Sequence, residues 1–203
     1  MRLIAENLSQ GYDDLAVFEG LSFSVANGQA LVVTGTNGSG KSTLLRTIAG
    51  LMPPASGSIR LEGGSTETSI AEQCHHVGPL NAIKLELTAR ENLAHWCGVL
   101  GAPSAAKVDA ALEKLDLEKF ADMPAVVLST GWRRRLGLAR VLVAERPLWL
   151  LDEPTAALDL SASRKVSALI RAHLAGGGLA VIATHLDLDI PGALTLELAA
   201  SRS

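Results

Sequence analysis

The sequence predicts an α/β fold with a mainly parallel sheet, and three observations lead to that class. Short apolar runs at 148–151 (LWLL) and 179–183 (LAVIA) lack polar alternation, which is typical of strands buried on both faces of a parallel sheet. Segments with helical spacing separate these runs along the chain. The 203 residues are 48% hydrophobic and 19% charged, so the chain is expected to be globular.

The first third of the chain is predicted to be β structure with one helix. Residues 2–33 are predicted to be β structure, because 15–25 is rich in Val, Phe and Leu with turn residues on both sides and a short apolar run at 30–33 predicts a buried strand. Residues 41–49 carry Leu and Ile on one helical face, and Gly50 followed by two prolines ends that helix. A further strand is predicted at 59–61, whereas 63–87 shows no dominant pattern.

The middle of the chain, from about 80 to 135, is predicted to be a helical lobe inserted between the strands. Thr88 and Glu91 have the spacing of a capping box, which opens a helix that runs to about residue 100. Ser104 can cap a second helix, whose apolar residues share one face: Val108, Ala111, Leu112 and Leu115. Two more helices are predicted over 132–145 and 161–175, and the alternation at 194–198 predicts an edge strand.

The charge and the cysteines narrow the classes of function. A net charge of -3 weighs against a dedicated nucleic-acid binder. Cys74 and Cys97 are far apart, which favours a reducing compartment over a disulfide framework. The histidines after Cys74 are interpreted as surface residues at a strand end, because no second ligand pair at zinc spacing is present. Neither a leader-like segment nor a long apolar run occurs, so membrane association is expected only through partners.

The stretch 35–43 (GTNGSGKST) matches the phosphate-binding pattern G-x-x-x-x-G-K-[ST] between a predicted strand and a predicted helix. Its glycines let the backbone fold around phosphates, and its N–H groups and the helix N-terminus face the anion. Lys41 is expected to supply positive charge to the β- and γ-phosphates, and the Ser42 hydroxyl to bind Mg²⁺. The predicted nucleotide-binding residues are Gly35, Thr36, Asn37, Gly38, Ser39, Gly40, Lys41, Ser42 and Thr43.

Two acidic residues, Asp152 and Glu153, follow the buried strand at 148–151. Acidic side chains at the carboxyl end of a parallel strand lie at the edge where α/β proteins bind ligands. Asp152 suits a Mg²⁺ site, and Glu153 suits a general base that activates the attacking water. A purely structural role as a helix cap is the weaker alternative, because the phosphate loop requires an acidic partner.

Four motifs in order, between about residues 3 and 190, resemble those of ATP-binding cassette (ABC) ATPases. LSTGWRRR at 128–135 is similar to the signature motif of that family, DEPTAALD at 152–159 to its Walker B and D-loop, and Thr184–His185 to its switch histidine. The resemblance implies a single domain over 1–203 with the fold of a P-loop NTPase. Its parts would be a RecA-like core, an N-terminal antiparallel β subdomain and the helical subdomain at about 80–135.

The resemblance also implies that two copies of the chain bind ATP between them, head to tail. Ser129 and Gly131 of one copy would donate to the γ-phosphate held by the other copy. Asp159 would cross the interface between copies, and His185 would contact the γ-phosphate. Loss of that phosphate on hydrolysis would then open the dimer.

Several of these residues have a second interpretation. Tyr12 stands where the family has an aromatic residue that stacks on adenine, and packing alone is the alternative. His185 could serve only as a strand cap. The arginines at 133–135 are interpreted as a mostly solvated and interfacial face of the signature helix rather than a site for nucleic acid.

Within the family, the sequence is most similar to the ATPase subunits of the haem exporters of cytochrome c maturation. The features that carry this similarity are the short chain, GLSFSV at 20–25, GTNGSGKSTLLR at 35–46, Lys84 and the three arginines. Pro79 is a departure from the family, because most relatives carry a glutamine near this place that helps hold Mg²⁺ and water. That role is left unassigned.

The similarity to haem exporters implies a peripheral protein on the cytoplasmic side of a bacterial inner membrane. It would dock on membrane subunits of the CcmB and CcmC type through residues around 80–96, and its ATP hydrolysis would support release of a haem-loaded chaperone. Trp96 is interpreted either as core of the helical lobe or as a docking contact.

Two other functions stay open. The first is an exporter ATPase for another cargo, such as a lipoprotein or a peptide, with the same ATP chemistry. The second is a cassette protein that acts on ribosomes or DNA. Such proteins usually carry two cassettes or a long coiled-coil insertion, and this sequence has neither a second cassette nor a heptad run.

Overall fold

The computed structural model of the protein describes residues 1–12 and 15–199, apart from the side chain of Tyr12. The chain forms two compact units. The first comprises residues 1–78, 146–153 and 169 onward, and the second comprises residues 79–145 and 154–168. In the described part of the chain, no helix combines the length and the apolar character that a membrane crossing requires.

An antiparallel sheet of three strands belongs to the first unit. Leu3, Ala5 and Val25 are buried in it while the residues between them along the strands are more exposed, which is the alternation of a sheet with one face on a core. The central strand is β1 (Arg2–Tyr12), and it pairs with β2 (Leu15–Ala26) and β4 (Ser56–Glu62).

A sheet of five parallel strands forms the centre of the first unit. Its order is β5 (Cys74–Val77), β6 (Leu148–Asp152), β7 (Leu179–Ala183), β3 (Ala30–Thr34) and β8 (Leu194–Glu197). All four pairings are parallel. β6 and β7 are buried at every position, which explains their unbroken apolar sequence. The predicted α/β fold with a mainly parallel sheet is confirmed, and β8 is the predicted edge strand.

A helix leads away from β3 and closes the core of this unit. Leu44, Leu45 and Ile48 of α1 (Lys41–Ile48) are at most 1% exposed and belong to one apolar cluster with the inner residues of the sheets. The helix therefore anchors the loop that precedes it to this apolar cluster.

The second unit is helical, and its first two helices start at the predicted caps, Thr88 and Ser104. The Thr88 hydroxyl accepts from the Glu91 N–H (3.1 Å), and the Glu91 carboxylate accepts from the Thr88 N–H (2.8 Å), which completes the capping box. Ser104 and Ser129 cap the next two helices. The helices are α3 (Ala89–Val99), α4 (Ala105–Lys114), α5 (Thr130–Val143) and α6 (Leu160–Ala175), of which α6 ends in the first unit.

The span 63–87, which has no dominant sequence pattern, contains the short helix α2 (Ile70–Gln73) and the edge strand β5. Four residues are too few for a periodicity to appear. His75 is 4% exposed and His76 is half-buried, so the expectation of surface histidines after Cys74 is wrong. Among the described residues, no group of three or more His, Cys, Asp or Glu side chains could hold a metal ion.

Candidate active site

The phosphate loop connects β3 to α1 at the carboxyl edge of the parallel sheet. The Lys41 ammonium donates hydrogen bonds to the carbonyl oxygens of Gly35 (2.8 Å) and Thr36 (2.9 Å). Lys41 is only 8% exposed, so its charge is held by two carbonyl dipoles of the loop itself. These acceptors are neutral, which leaves the ammonium able to exchange them for an anion.

Close packing explains two of the loop glycines. A Cβ on Gly35 would lie 2.5 Å from the carbonyl oxygen of Leu198, and a Cβ on Gly40 would lie 2.4 Å from a side-chain atom of β2. Leu198 also donates its N–H to the carbonyl oxygen of Thr34 (2.9 Å). The residue that follows β8 therefore forms one side of the phosphate loop.

The hydroxyls of the loop suit a phosphate and a divalent cation. Ser39 Oγ is buried and has no hydrogen-bond partner among the described residues, so it is a polar atom left for a ligand. Thr36, Asn37 and Gly38 are exposed, Gly35, Gly40, Ser42 and Thr43 are half-buried, and Ser39 and Lys41 are buried. The side chain of Tyr12, predicted to stack on adenine, lies outside the described residues.

The acidic pair lies where β6 ends, at the same edge of the sheet. Asp152 is 3% exposed and pairs with Ala183 of β7. A carboxylate like that of Asp152 and a hydroxyl like that of Ser42 are oxygen ligands of the kind that Mg²⁺ prefers, and their role in a Mg²⁺ site stays a prediction. Glu153 has a φ of 46°, in the left-handed region, and its N–H donates to the Ala183 carbonyl (2.8 Å). This conformation costs about 1–3 kcal/mol for a residue with a side chain, so the surrounding strands hold Glu153 in place.

The end of β7 orients the Glu153 carboxylate. The Thr184 hydroxyl donates to Glu153 Oε2 (3.2 Å), and His185 Nδ1 lies 3.0 Å from Glu153 Oε1. Thr184 is fully buried, whereas the His185 side chain is 65% exposed. The structure thus brings the two predicted catalytic residues together. Sequence reasoning missed Thr184 as a site residue, and its place at the end of a buried strand beside the acidic strand is the signal that could have found it.

The signature motif forms the first turn of α5 in the second unit. The Ser129 hydroxyl oxygen accepts from the Trp132 N–H (3.4 Å), which leaves the hydroxyl proton for a ligand. A Cβ on Gly131 would lie 3.1 Å from the carbonyl oxygen of Ala157, which is tighter than most side chains accept. Glycine at 131 therefore lets the turn before α6 lie close to the signature helix.

Asp159 stands directly before α6. One of its carboxylate oxygens accepts from the Ala162 N–H (2.8 Å), and the other accepts from Arg135 (3.0 Å). The Ala162 hydrogen bond and, to a smaller extent, the Arg135 charge lower the pKa of Asp159 below its usual value. Asp159 is therefore an ionised helix cap within its own chain, and its place at an interface between copies stays a prediction.

Comparison with known proteins identifies the family. The family model described as ABC transporter matches residues 18–156. The cytochrome c biogenesis ATP-binding export protein CcmA of Mesorhizobium japonicum is 52% identical over 194 residues, which are 95% of this chain and 96% of that protein. This chain belongs to the ABC transporter family. The protein of the same name from Rhizobium meliloti is 48% identical over 98% of both chains.

Solved structures share the ABC fold of this chain. An ATP-binding subunit of an ABC transporter has a TM-score of 0.83 at 26% identity, over 92% of this chain and 80% of that one. An ATP-binding cassette solved as a dimer with ADP and Pi has a TM-score of 0.84 at 24% identity, over 98% and 97%, which is a likeness in fold. The family, the P-loop fold and the ATPase class predicted from the sequence are thereby confirmed.

The arginine run of this ABC ATPase is not a solvated face. Arg134 and Arg135 are 4% and 8% exposed, and Arg133 is half-buried. Arg133 donates to the carbonyl oxygens of Ala125 (3.0 Å) and Val126 (2.5 Å). The prediction of a mostly solvated run is wrong because consecutive residues of an α-helix point about 100° apart, so three in a row cannot share one face.

The loop at 79–87, where most ABC ATPases carry the glutamine, is fastened to α3. Asn92 is 2% exposed, and its amide accepts from the Lys84 N–H (2.7 Å) and donates to the Lys84 carbonyl (2.9 Å). The Trp96 indole donates to the carbonyl oxygen of Ala82 (3.0 Å). Trp96 therefore helps to hold the loop within the helical unit.

The same loop is fastened to the signature helix. Arg134 donates to the Asn81 side-chain oxygen (3.2 Å). A Cβ on Gly137 would lie 2.9 Å from both the Cβ and the carbonyl oxygen of Asn81. In place of the glutamine, this ABC ATPase has a loop that lies directly on α5, and Pro79 at its start is exposed.

Proposed function

We propose that this protein is the ATP-binding and ATP-hydrolysing subunit of a bacterial ABC export complex for cytochrome c biogenesis. Its hydrolysis would support release of a haem-loaded chaperone. The enzymatic part of the proposal rests on one observation: the phosphate loop, the Asp152–Glu153 pair and His185 stand at one edge of the parallel sheet. The biological part rests on the near-full-length similarity to proteins named CcmA.

Glu153 is the general base of this mechanism. Its carboxylate takes a proton from water, whose oxygen attacks the γ-phosphorus while ADP departs as the leaving group. The Thr184 hydroxyl and the His185 ring fix the two carboxylate oxygens before the water arrives, which favours a productive orientation. The other ring nitrogen of His185 can donate to a γ-phosphate oxygen in the imidazolium form, in which both ring nitrogens carry protons.

The phosphate loop binds the nucleotide in this mechanism. The Lys41 ammonium exchanges its two carbonyl acceptors for phosphate oxygens, and charge-assisted hydrogen bonds of this kind are about twice as strong as neutral ones. Ser42 and Asp152 would hold Mg²⁺, which supplies charge neutralisation at the β- and γ-phosphates when it is bound.

A second copy of the chain would complete each site. The Ser129 hydroxyl and the positive end of α5 would contact the γ-phosphate bound by the other copy, where Gly131 exposes the backbone N–H groups. The turn that ends at Asp159 would lie across the interface between copies.

Exposed apolar side chains in the second unit support docking on membrane subunits. Leu80 is 84% exposed, and Val126 and Val127 are 54% and 65% exposed. The Val126 N–H donates to the Leu85 carbonyl (2.9 Å), so the loop at 79–87 lies beside the segment that precedes the signature motif. Exposed apolar side chains on neighbouring segments are typical of an interaction surface. We assign it to membrane subunits of the CcmB and CcmC type, which would place the protein peripherally on the cytoplasmic side of the inner membrane.

Glu153→Gln tests the enzymatic part. In the complex with its membrane subunits, this variant is expected to release phosphate at least about 100-fold more slowly and to accumulate as an ATP-bound dimer. Phosphate release and light scattering with Mg-ATP measure the two effects. Glu145→Gln, which changes an exposed glutamate after α5, is the matched control. Wild-type turnover of Glu153→Gln would contradict the general base, and a persistent monomer would contradict the dimer.

Complementation tests the biological part. Expressed in a Mesorhizobium japonicum strain that lacks CcmA, the protein is expected to restore membrane c-type cytochromes, detected by haem staining of gels. Lys41→Ala is the inactive control. Failure to restore them, with purification of a different membrane subunit, would favour an exporter of another cargo. Sedimentation with ribosomes that survives high salt would favour a cassette protein outside transport.

A further inference from the structure

A buried arginine joins two segments of the second unit that are distant in sequence. Arg135 lies on α5 and is 8% exposed. One terminal nitrogen lies 3.0 Å from the Asp159 carboxylate, and the other lies 3.1 Å from the Asp116 carboxylate. A buried charge is costly unless it is paired and hydrogen-bonded in this way. Arg135 therefore links the signature helix to the turn that precedes α6.

The indole of Trp132 lies against this guanidinium. Arg135 Cζ is 4.2 Å from the centroid of the indole ring, a distance at which a planar guanidinium stacks on an aromatic face. The Trp132 ring is in turn 4.5 Å from the ring of Phe120. The Lys119 ammonium lies farther away, at 5.3 Å from the indole. The indole, packed against Phe120, therefore restricts the side-chain rotamers that Arg135 can adopt.

Two further contacts connect the same segments. Gly131 approaches the carbonyl oxygen of Ala157 so closely that a Cβ would lie 3.1 Å away. The second carboxylate oxygen of Asp159 caps α6 through the Ala162 N–H. The first turn of α5, the turn at 155–159 and the start of α6 are therefore held together, with Arg135 as the charged link.

We propose that Trp132 is a positioning residue of the ATPase reaction. Its ring holds the Arg135 guanidinium on Asp159, so that Ser129 and the turn at 155–159 meet a second copy of the chain as one unit. The inference rests on the proposed function, because it takes these two segments as surfaces that the second copy contacts.

The expected effect of Trp132 is on association of two copies and not on nucleotide binding by one copy. Segments that are ordered before they associate do not incur the ordering cost during binding. Loss of the indole should therefore weaken ATP-dependent association. The affinity of a single chain for ATP should stay unchanged, because the phosphate loop belongs to the other unit.

Hydrogen exchange of the full-length chain tests the link within one copy. Trp132→Ala is expected to speed amide exchange at 156–163 about tenfold, whereas Trp132→Phe, which keeps an aromatic face, should stay within about threefold of wild type. Lys119→Ala removes a cation near the same ring but lies outside the Arg135–Asp159 link, so it is the matched control. Unchanged exchange in Trp132→Ala, or equal acceleration in Trp132→Phe, would overturn the proposal.

Dimerisation with Mg-ATP in the Glu153→Gln background tests the effect on the reaction. Trp132→Ala is expected to raise the dimer dissociation constant about tenfold while the affinity of the monomer for a fluorescent ATP analogue is unchanged. Combined with Asp159→Asn, it should add no further loss, because the ring acts through Asp159. Single effects that multiply in the double variant would overturn the proposal.

The two experiments also separate this inference from the proposed function. A Glu153→Gln parent that does not dimerise would contradict the two-copy mechanism. Exchange at 156–163 would still decide whether Trp132 positions Asp159, since that measurement needs only one copy.

Discussion

Lys41 and Glu153 in the first compact unit are held by different partners from those that hold Arg135 in the second. In the first unit, Lys41 lies on two backbone carbonyls, and Glu153 lies on a hydroxyl and an imidazole. In the second unit, Arg135 lies between two carboxylates and against an aromatic ring. In the first arrangement the charged group can still interact with a ligand. In the second, two carboxylates of the same chain already neutralise the charge of the arginine.

This difference separates residues that bind a ligand from residues that stabilise the fold of the chain. A cation that rests on neutral dipoles gains free energy when a phosphate replaces them, because hydrogen bonds between ions are stronger. A cation that already has two carboxylate partners gains little from a ligand. Replacement of Lys41 or Glu153 should therefore change activity at nearly constant stability, and replacement of Arg135 should change stability or association.

Lys41→Ala should have the largest effect. Loss of the ammonium is expected to weaken ATP binding by about 100-fold or more, equivalent to about 2.7 kcal/mol, while the free energy of unfolding changes little. Titration with a fluorescent ATP analogue and chemical denaturation measure the two quantities. Arg46→Ala, which removes an exposed cation from the same helix, should leave both unchanged. Wild-type ATP affinity of Lys41→Ala would contradict the claim that the Lys41 ammonium binds phosphate.

Thr184→Val should have the next largest effect. It keeps the shape of the buried side chain but removes the donor to Glu153 Oε2, so kcat is expected to fall about tenfold with KM for ATP within about twofold. Steady-state phosphate release measures both. Thr184→Ser retains the hydroxyl and should recover most of the rate. A serine variant as slow as the valine variant would show that the methyl group, and not the hydrogen bond, matters.

Two glycine substitutions in the second unit should change the stability of the protein in opposite directions. Gly98 and Gly137 both lie in helices, where alanine is favoured over glycine by about 1 kcal/mol. A Cβ on Gly98 would meet no atom within 4 Å, so Gly98→Ala should stabilise the protein by about that amount.

Gly137→Ala should act in the opposite direction. Its Cβ would lie 2.9 Å from the carbonyl oxygen of Asn81, and an overpacked buried site costs about 1–3 kcal/mol, which exceeds the helical gain. Equilibrium unfolding in urea measures both variants. If both alanines stabilised the protein, the loop at 79–87 would have to move away from residue 137 at little cost, which would contradict its attachment to α5.

The smallest effect is expected in a pH series of His173. Its ring stacks on Trp149 at 4.0 Å, and burial lowers its pKa below the ordinary 6.5. Below about pH 6.5 the unfolded chain then binds more protons than the folded chain, so the free energy of unfolding should fall as the pH drops towards the lower native pKa. His173→Gln should flatten that slope, and His95→Gln, at an exposed position, is the control. Equal slopes in wild type and His173→Gln would contradict the expectation.

The parts of the site that the sequence predicts are those built from neighbouring residues. The phosphate loop occupies nine consecutive positions, and Asp152 and Glu153 follow the strand that places them. Both therefore carry a signal in short stretches of sequence. The capping box at Thr88 is local in the same sense, and the structure contains it.

The parts that the sequence does not predict depend on distant pairs. Arg135 pairs with Asp116 and Asp159, which are 19 and 24 positions away in the sequence. No sequence periodicity predicts pairs of this kind. Which arginine of the run is buried depends on the rotation of α5, and that rotation is set by packing. The Thr184 hydroxyl acquires its role only when β7 pairs with β6 and brings it to Glu153.

The contact between Leu198 and the phosphate loop reaches beyond the family motifs. Leu198 bonds to the backbone just before the loop and leaves no room for a side chain on Gly35. A fragment that ends before β8 would keep every motif by which its family is recognised. Its phosphate loop would nevertheless lack the backbone of Leu198 on one side. A search for intact motifs alone would therefore not detect the loss of this contact.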